Sequence, residues 1–162
     1  MTTTSLRLSS QTIRPETRIP RRHAYRGEGE NVSPDLSWPK PPAGTAEQVV
    51  VCEDADAPRA RAWVHWLVYS IPPGVTALPE DLGGNPTLEV VRGAKQGVNS
   101  WGDLGWGGPF PPPGHGVHHY HFRVFALDRA LKLAPGADWE QVEREMSGHV
   151  LAQGELVGTY ER

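Results

Sequence analysis

The chain has 162 residues, a formal net charge of −3, a pI near 6.1, 38% hydrophobic residues and six tryptophans. This length predicts one domain over residues 1–162, built around a single hydrophobic core. The slightly acidic balance creates no general positive field, so a nucleic-acid partner is not expected. Cys52 is the only cysteine, which excludes an internal disulfide and a thiolate metal cluster.

Targeting and membrane signals are the next property that the sequence addresses. Residues 1–11 contain no apolar stretch of the kind that a secretory signal needs, and no run approaches ~18 consecutive apolar residues. We therefore expect a cytoplasmic protein that does not insert stably into a membrane. The 18 glycines and 16 prolines favour a loop-rich, mostly β architecture.

Strand-forming sequence recurs along the chain. Apolar and β-branched stretches between turn residues predict strands at residues 49–52, 63–71, 88–91, 118–127 and 154–160. One helix is predicted from Asp138, a suitable N-cap, to about Gln153. Its inner stripe would consist of Val142, Met146, His149 and Val150. The fold class predicted is mostly β, a single-domain, antiparallel β-sandwich-like architecture with a C-terminal α-helix.

The predicted strand 63–71 has apolar residues on both faces, as a covered central strand should. Alternation with a period of two places His65 on the same face as Trp63, Leu67 and Tyr69. His65 is therefore a polar ring on an apolar face. Such a ring either forms its hydrogen bonds within the core or faces a ligand.

The predicted strand 118–127 follows a loop made almost entirely of glycine and proline. Alternation points His118 and Tyr120 inward and leaves His119 and His121 on the more polar face. A metal site is not expected, because this spacing provides no third ligand for the two outward histidines.

Acidic and imidazole groups are brought together by these strands. Asp54, at the end of one strand, can accept a hydrogen bond from His65 or His118 and set the tautomer of that ring. The backbone amides of Gly107 and Gly108 are expected to add fixed donors, which would suit phosphate, sulfate or carboxylate. We expect such an anion to bind more tightly as the histidines become protonated.

Four spaced blocks carry more specific information. They read D-A-D-A-P at 54–58, W-V-H-W at 63–66, G-P-F-P-P-P-G-H-G at 108–116 and H-H-Y-H-F at 118–122. In this order they resemble the phosphatidylethanolamine-binding protein family, in particular its bacterial and archaeal, Raf-kinase-inhibitor-like branch. The likeness spans residues 19–160. The chain departs from the family pattern in four places. Asp54-Ala55 stands for an aspartate-proline pair, His119 for an arginine and Phe110 for a cysteine that is frequent in prokaryotic members. Residues 26–29, R-G-E-G, replace a simpler acidic-glycine turn.

The resemblance implies a pocket for phosphate or a phosphoryl headgroup, with no catalytic residue, metal or cofactor. Carried over by position, its ligand-binding residues would be Asp54, Asp56, Pro58, Trp63, His65, Gly108, Pro109, His118 and Tyr120. The partner implied is a small anionic or phosphorylated ligand, and a protein partner stays open. Members of the bacterial branch often pair as homodimers, for which the residues of this chain offer no independent support.

Three functions remain open on the sequence. The first is a non-enzymatic binding or regulatory module with a small anion pocket. The second is a hydrolase of small esters or phosphoesters that uses a water activated by an Asp–His pair, since no nucleophile is evident and Ser100 is the nearest serine. The third is an interaction protein in which the pocket is vestigial.

Overall fold

A computed structural model describes residues 4–57 and 61–162. These residues form nine strands: β1 (Thr4–Ser5), β2 (Leu36–Ser37), β3 (Glu47–Asp54), β4 (Trp63–Ile71), β5 (Ala77–Leu78), β6 (Thr87–Leu88), β7 (Ala94–Gln96), β8 (His118–Leu127) and β9 (Val150–Tyr160). The α-helix α1 spans Trp139–Met146. Within the described ranges, no helix combines the length and the apolar character needed to cross a membrane.

Seven strands form one sheet in the order β1-β9-β8-β3-β4-β7-β6, and β2 pairs with β5 in a separate, two-stranded sheet. Neighbouring strands are antiparallel apart from β1 beside β9. One core, around Trp66 and Phe122, lies between the large sheet and the N-terminal segments. The other, around Leu67 and Val142, lies beneath α1. The predicted fold class, mostly β with one helix near the C-terminus, is confirmed.

Helix α1 begins where the sequence predicts and ends earlier. Asp138 caps it, because its carboxylate accepts the N–H of Gln141 while the Gln141 side chain accepts the N–H of Asp138. The predicted end near Gln153 is wrong. The helix stops at Met146, and Gly148 then takes a φ of +82°, a left-handed conformation that favours glycine and ends helices.

The residues after Gly148 belong to the sheet. Strand β9 begins at Val150, four residues before the predicted start, because this part of the chain continues the pairing with β8. His149 is therefore not part of a helical inner stripe; its Nδ1–H donates to the carboxylate of Asp128 at 2.7 Å. The predicted strand 88–91 is also largely wrong, since Glu89–Val91 forms a 3-10 turn.

Strand β4 contains a β-bulge that changes the predicted faces. Val64 and Trp66 pair with consecutive residues of β3, so His65 is the extra residue. His65 therefore lies on the same side as Trp66, whereas Leu67 and Tyr69 face the other core. The expected grouping of His65 with Leu67 and Tyr69 is wrong, because one inserted residue shifts the alternation on either side of it. In β8, by contrast, the predicted inward and outward alternation is confirmed.

Candidate functional site

A pocket of about 390 Å³ opens at the end of the large sheet where β3 ends and β4 and β8 begin. The strand register creates it, because Asp54 lies opposite Trp63 on one side and opposite Tyr120 on the other. The pocket is lined by Asp54, Ala57, Trp63, His65, Trp101, Phe110, Pro111, Pro112, His118 and Tyr120.

Five of the residues carried over from the family pattern line this pocket. They are Asp54, Trp63, His65, His118 and Tyr120. Asp56 lies outside the lining and accepts hydrogen bonds from the backbone N–H and the ring Nδ1–H of His119, both at 2.8 Å. Pro58 lies outside the described residues.

The amides of the glycine pair are already engaged. Gly107 N–H donates to the carbonyl oxygen of His65 at 2.9 Å, and Gly108 N–H donates to Oδ1 of Asn31 at 2.8 Å. Neither glycine is part of the pocket lining. The expectation that these amides are free to bind an anion is therefore not met, because internal acceptors use both donors.

Gly108 and Pro109 instead pack the pocket loop against the N-terminal part of the chain. A Cβ on Gly108 would lie 1.9 Å from the carbonyl oxygen of His23, so only a glycine allows the two backbones to approach this closely. The carbonyl oxygen of Pro109 accepts the N–H of Tyr25 at 3.0 Å. Both residues support the wall of the pocket from behind.

His65 is 2% exposed and has a defined tautomer. Its Nδ1 lies 2.6 Å from the carbonyl oxygen of Gly107, which can only accept, so Nδ1 carries the proton and Nε2 keeps a lone pair. The ring packs edge-on against Tyr120 at 5.0 Å and Trp101 at 5.3 Å between centroids. Burial lowers the pKa of His65 from 6.5 to about 4, despite the hydrogen bond to Gly107. Protonation of His65 therefore cannot supply positive charge near neutral pH.

His118 joins a buried carboxylate to an exposed imidazole. Its Nδ1–H donates to Oδ2 of Asp54 at 2.6 Å, and its Nε2 lies 2.6 Å from Nδ1 of His115. Because the carboxylate is an acceptor, a neutral His118 accepts a hydrogen bond from His115, whereas an imidazolium donates to it. A ligand that is to bind Nε2 of His118 must therefore displace His115.

The hydroxyl of Tyr120 is the single buried side-chain N or O atom without a hydrogen-bond partner in the described part of the chain. Burial raises the pKa of Tyr120, and the nearby carboxylate of Asp54 adds to this effect, so the hydroxyl is a neutral donor. Buried polar groups are nearly always paired. The Tyr120 hydroxyl is therefore an unpaired donor in a residue of the pocket lining.

Aromatic rings that the sequence did not assign to the site complete the pocket. Trp101 stacks on Tyr25 at 4.4 Å between centroids and meets Trp63 edge-on at 5.2 Å. Asn99 holds the Trp101 backbone by accepting its N–H at 3.0 Å. Phe110 is 40% exposed, and its ring lies 5.5 Å from that of Tyr25. The sequence signal that could have identified Trp101 and Phe110 as pocket residues is that each is an aromatic residue within a glycine-rich loop.

The chemistry available in the pocket follows from this lining. Among the described lining residues there is no lysine, arginine, serine, threonine or cysteine, and the one carboxylate is that of Asp54. The side-chain donors and acceptors of the described lining belong to Asp54, His65, His118 and Tyr120 and to the indole N–H groups of Trp63 and Trp101. The remaining walls are phenyl and proline rings and Ala57. Residues 4–57 and 61–162 also contain no group of three His, Cys, Asp or Glu side chains placed to hold a metal ion.

Comparison with known proteins places the chain in a family. The model for "Phosphatidylethanolamine-binding protein" matches residues 9–161. A UPF0098 protein of Methanothermobacter thermautotrophicus is 42% identical over 157 residues, covering 97% of this chain and 99% of that protein. The crystal structure of YbcL from Escherichia coli, described as a member of the mammalian PEBP family, is 34% identical with a TM-score of 0.89, covering 97% and 98% of the two chains.

A crystal structure from Chlamydia trachomatis, described as a putative phosphatidylethanolamine-binding protein homolog, agrees with this result. It is 34% identical, with a TM-score of 0.84 and 99% coverage of both chains. These relatives come from bacteria and an archaeon, and their matches extend over nearly the whole sequence. The chain thus belongs to the phosphatidylethanolamine-binding protein family, in its bacterial and archaeal branch.

Proposed function

We propose that this protein is a non-enzymatic binding protein whose pocket holds a small phosphoryl headgroup. The observation that carries the proposal is the Tyr120 hydroxyl, a buried donor in the pocket wall without a partner among the described residues. An unsatisfied buried group costs roughly 1–3 kcal/mol, and a ligand oxygen at this place would recover that cost. The family description supports the same chemistry, since phosphatidylethanolamine carries a phosphoryl headgroup.

The arrangement of donors and acceptors indicates the chemical class of the ligand. Tyr120 can donate to phosphoryl oxygens, and so can an imidazolium form of His118 once the ligand has displaced His115, while His118 keeps its hydrogen bond to Asp54. Neutral His65 and Asp54 can accept from an N–H group. Aromatic faces such as those of Trp63 and Trp101 also attract cations. A headgroup such as phosphoethanolamine would satisfy both, because its phosphoryl oxygens accept from the donors and its ammonium group donates to the acceptors and contacts the aromatic faces.

Replacing Tyr120 with phenylalanine tests this assignment. We expect the affinity for phosphoethanolamine, measured by titration calorimetry, to fall about tenfold, which corresponds to one lost hydrogen bond to a charged group. The free energy of unfolding should stay unchanged or rise by up to about 1 kcal/mol, because the substitution removes an unsatisfied buried hydroxyl. Loss of binding without loss of stability is what distinguishes a ligand contact from a packing residue.

Tyr69→Phe is a matched control on the other face of the sheet. The Tyr69 hydroxyl donates to the carbonyl oxygen of Ala134 and accepts the N–H of Ala137 at 3.1 Å. Its removal should cost about 1 kcal/mol of stability and leave phosphoethanolamine binding unchanged. Equal affinities for the wild type and Tyr120→Phe would contradict the proposed role of Tyr120.

Hydrolysis is the second candidate, because the Asp54–His118 hydrogen bond at 2.6 Å is the arrangement that activates a water molecule. The described lining contains no serine, threonine, cysteine or lysine, and its one hydroxyl group is the phenol of Tyr120. Ser100 does not approach a histidine; its hydroxyl oxygen accepts the N–H of Val64 at 2.8 Å. Turnover of chromogenic phosphate or carboxylate esters that is lost in His118→Asn would establish a hydrolase and overturn the non-enzymatic proposal.

A further inference from the structure

Arg162 is held against the outer wall of the pocket by three contacts. Its Nε–H donates to the carbonyl oxygen of Pro111 at 2.7 Å, and its carbonyl oxygen accepts the N–H of Gly114 at 3.0 Å. Its guanidinium carbon lies 3.8 Å from the centroid of the Phe110 ring. Pro111 and Phe110 both line the pocket. These contacts fix the guanidinium group beside two residues of the pocket lining.

The guanidinium of Arg162 forms no ion pair with an acidic side chain in the described part of the chain. Within residues 4–57 and 61–162, no carboxylate lies within 4.0 Å of its guanidinium, whereas Arg61 and Arg129 each pair with a glutamate. Nε is the one guanidinium nitrogen with a hydrogen-bond partner in this part of the chain. The two terminal NH₂ groups therefore keep their donors for an external acceptor.

We infer that Arg162 forms an anion-binding subsite at the pocket mouth and that the preferred ligands are phosphoryl compounds with a second anionic group. This inference rests on the proposed function, which assigns the phosphoryl group to the pocket interior. The interior holds Asp54 and, among the described residues, no lysine or arginine, so a second anion inside would be unfavourable. At the mouth, a carboxylate or a second phosphate meets the planar, preoriented donors of Arg162.

Two probes that differ by one carboxylate test the subsite. O-Phosphoserine is phosphoethanolamine with an added carboxylate, and calorimetric titration gives the affinity of each. The wild-type protein should bind phosphoserine about fivefold more tightly than phosphoethanolamine, as expected for a partly exposed charge-assisted contact. Raising the salt concentration should reduce this preference, because the guanidinium at the mouth is only half-buried.

Arg162→Gln removes the charge while retaining a planar polar group, and we expect it to abolish the preference without weakening the binding of phosphoethanolamine. Arg129→Gln is the matched control, since Arg129 is ion-paired with Glu145 and is not part of the pocket lining. This variant should keep the full preference. Equal binding of both probes by the wild type, or a preference that survives Arg162→Gln, overturns the subsite alone. Failure of the wild type to bind either probe overturns the proposed function and the subsite together.

Discussion

Replacing Gly108 with alanine should lower the free energy of unfolding by about 3 kcal/mol or more. The new Cβ would lie 1.9 Å from the carbonyl oxygen of His23 and 2.7 Å from the carbonyl carbon of Ala24. Both are backbone atoms, so a side-chain rotation cannot relieve the contact. The same His23 oxygen accepts the indole N–H of Trp106 at 2.9 Å, and displacing it would disturb that buried hydrogen bond as well. Urea unfolding followed by tryptophan fluorescence measures the effect.

Gly74→Ala provides the comparison for this substitution. Its Cβ would meet only the end of the flexible Arg92 side chain, at 3.4 Å, so stability should change by no more than about 0.5 kcal/mol. A Gly108→Ala protein as stable as the wild type would show that Gly108 does not serve packing. The stability of Gly108→Ala therefore distinguishes two roles for Gly108: the close approach of two backbones, and the anion binding that the Gly/Pro sequence had indicated.

The buried ring of His65 should make stability depend on pH. The pKa of His65 is about 4 in the folded protein and 6.5 when the ring is exposed, so between these pH values the unfolded chain binds a proton that the folded chain does not. Stability therefore falls as the pH drops from about 6.5 to about 4 and is unaffected by this group above that range. A shift of this size corresponds to about 3 kcal/mol at the acidic end.

The contribution of His65 is isolated by comparing the wild type with His65→Asn. Asparagine can still donate to the carbonyl oxygen of Gly107 but does not titrate, so carboxylate effects common to both proteins cancel in the difference. The wild type should lose about 3 kcal/mol more than the variant between pH 7 and pH 4. In parallel, the His65 ring signals in NMR spectra should not titrate between pH 8 and pH 5. A midpoint near 6.5 would contradict the assigned burial effect.

Strand patterns were the most predictable part of this protein. The bounds of β4 and β8 are those expected from their β-branched and aromatic residues, because both strands are long and end at clear turn residues. The helix was less predictable at its end. Gly148 is a typical stop signal, yet the apolar residues after it also fit a helical stripe, and pairing of Val150 with β8 decided between the two.

The order of the blocks in the sequence determined the family, and with it the set of Asp54, His65, His118 and Tyr120 around a pocket. Local pattern was sufficient for Asp54, His118 and Tyr120, because strand alternation and the ends of adjacent strands bring these side chains together, whereas His65 faces the pocket through the bulge in β4. Only the tertiary structure decided how each group is used. In the folded chain, His115 forms a hydrogen bond with His118, and the amides of Gly107 and Gly108 donate to internal acceptors. The Tyr120 hydroxyl has no partner among the described residues.

The physical reason is the distance in sequence between hydrogen-bonding partners. Gly108 and Asn31 are 77 residues apart, and His118 and Asp54 are 64 apart, so packing of the whole chain selects each pair. The bulge at His65 likewise depends on the register between β3 and β4, and local alternation carries no information about it. Sequence determined five of the residues that line the pocket, whereas the tertiary structure added Trp101 and Phe110 to the lining and decided which donors and acceptors remain available to a ligand.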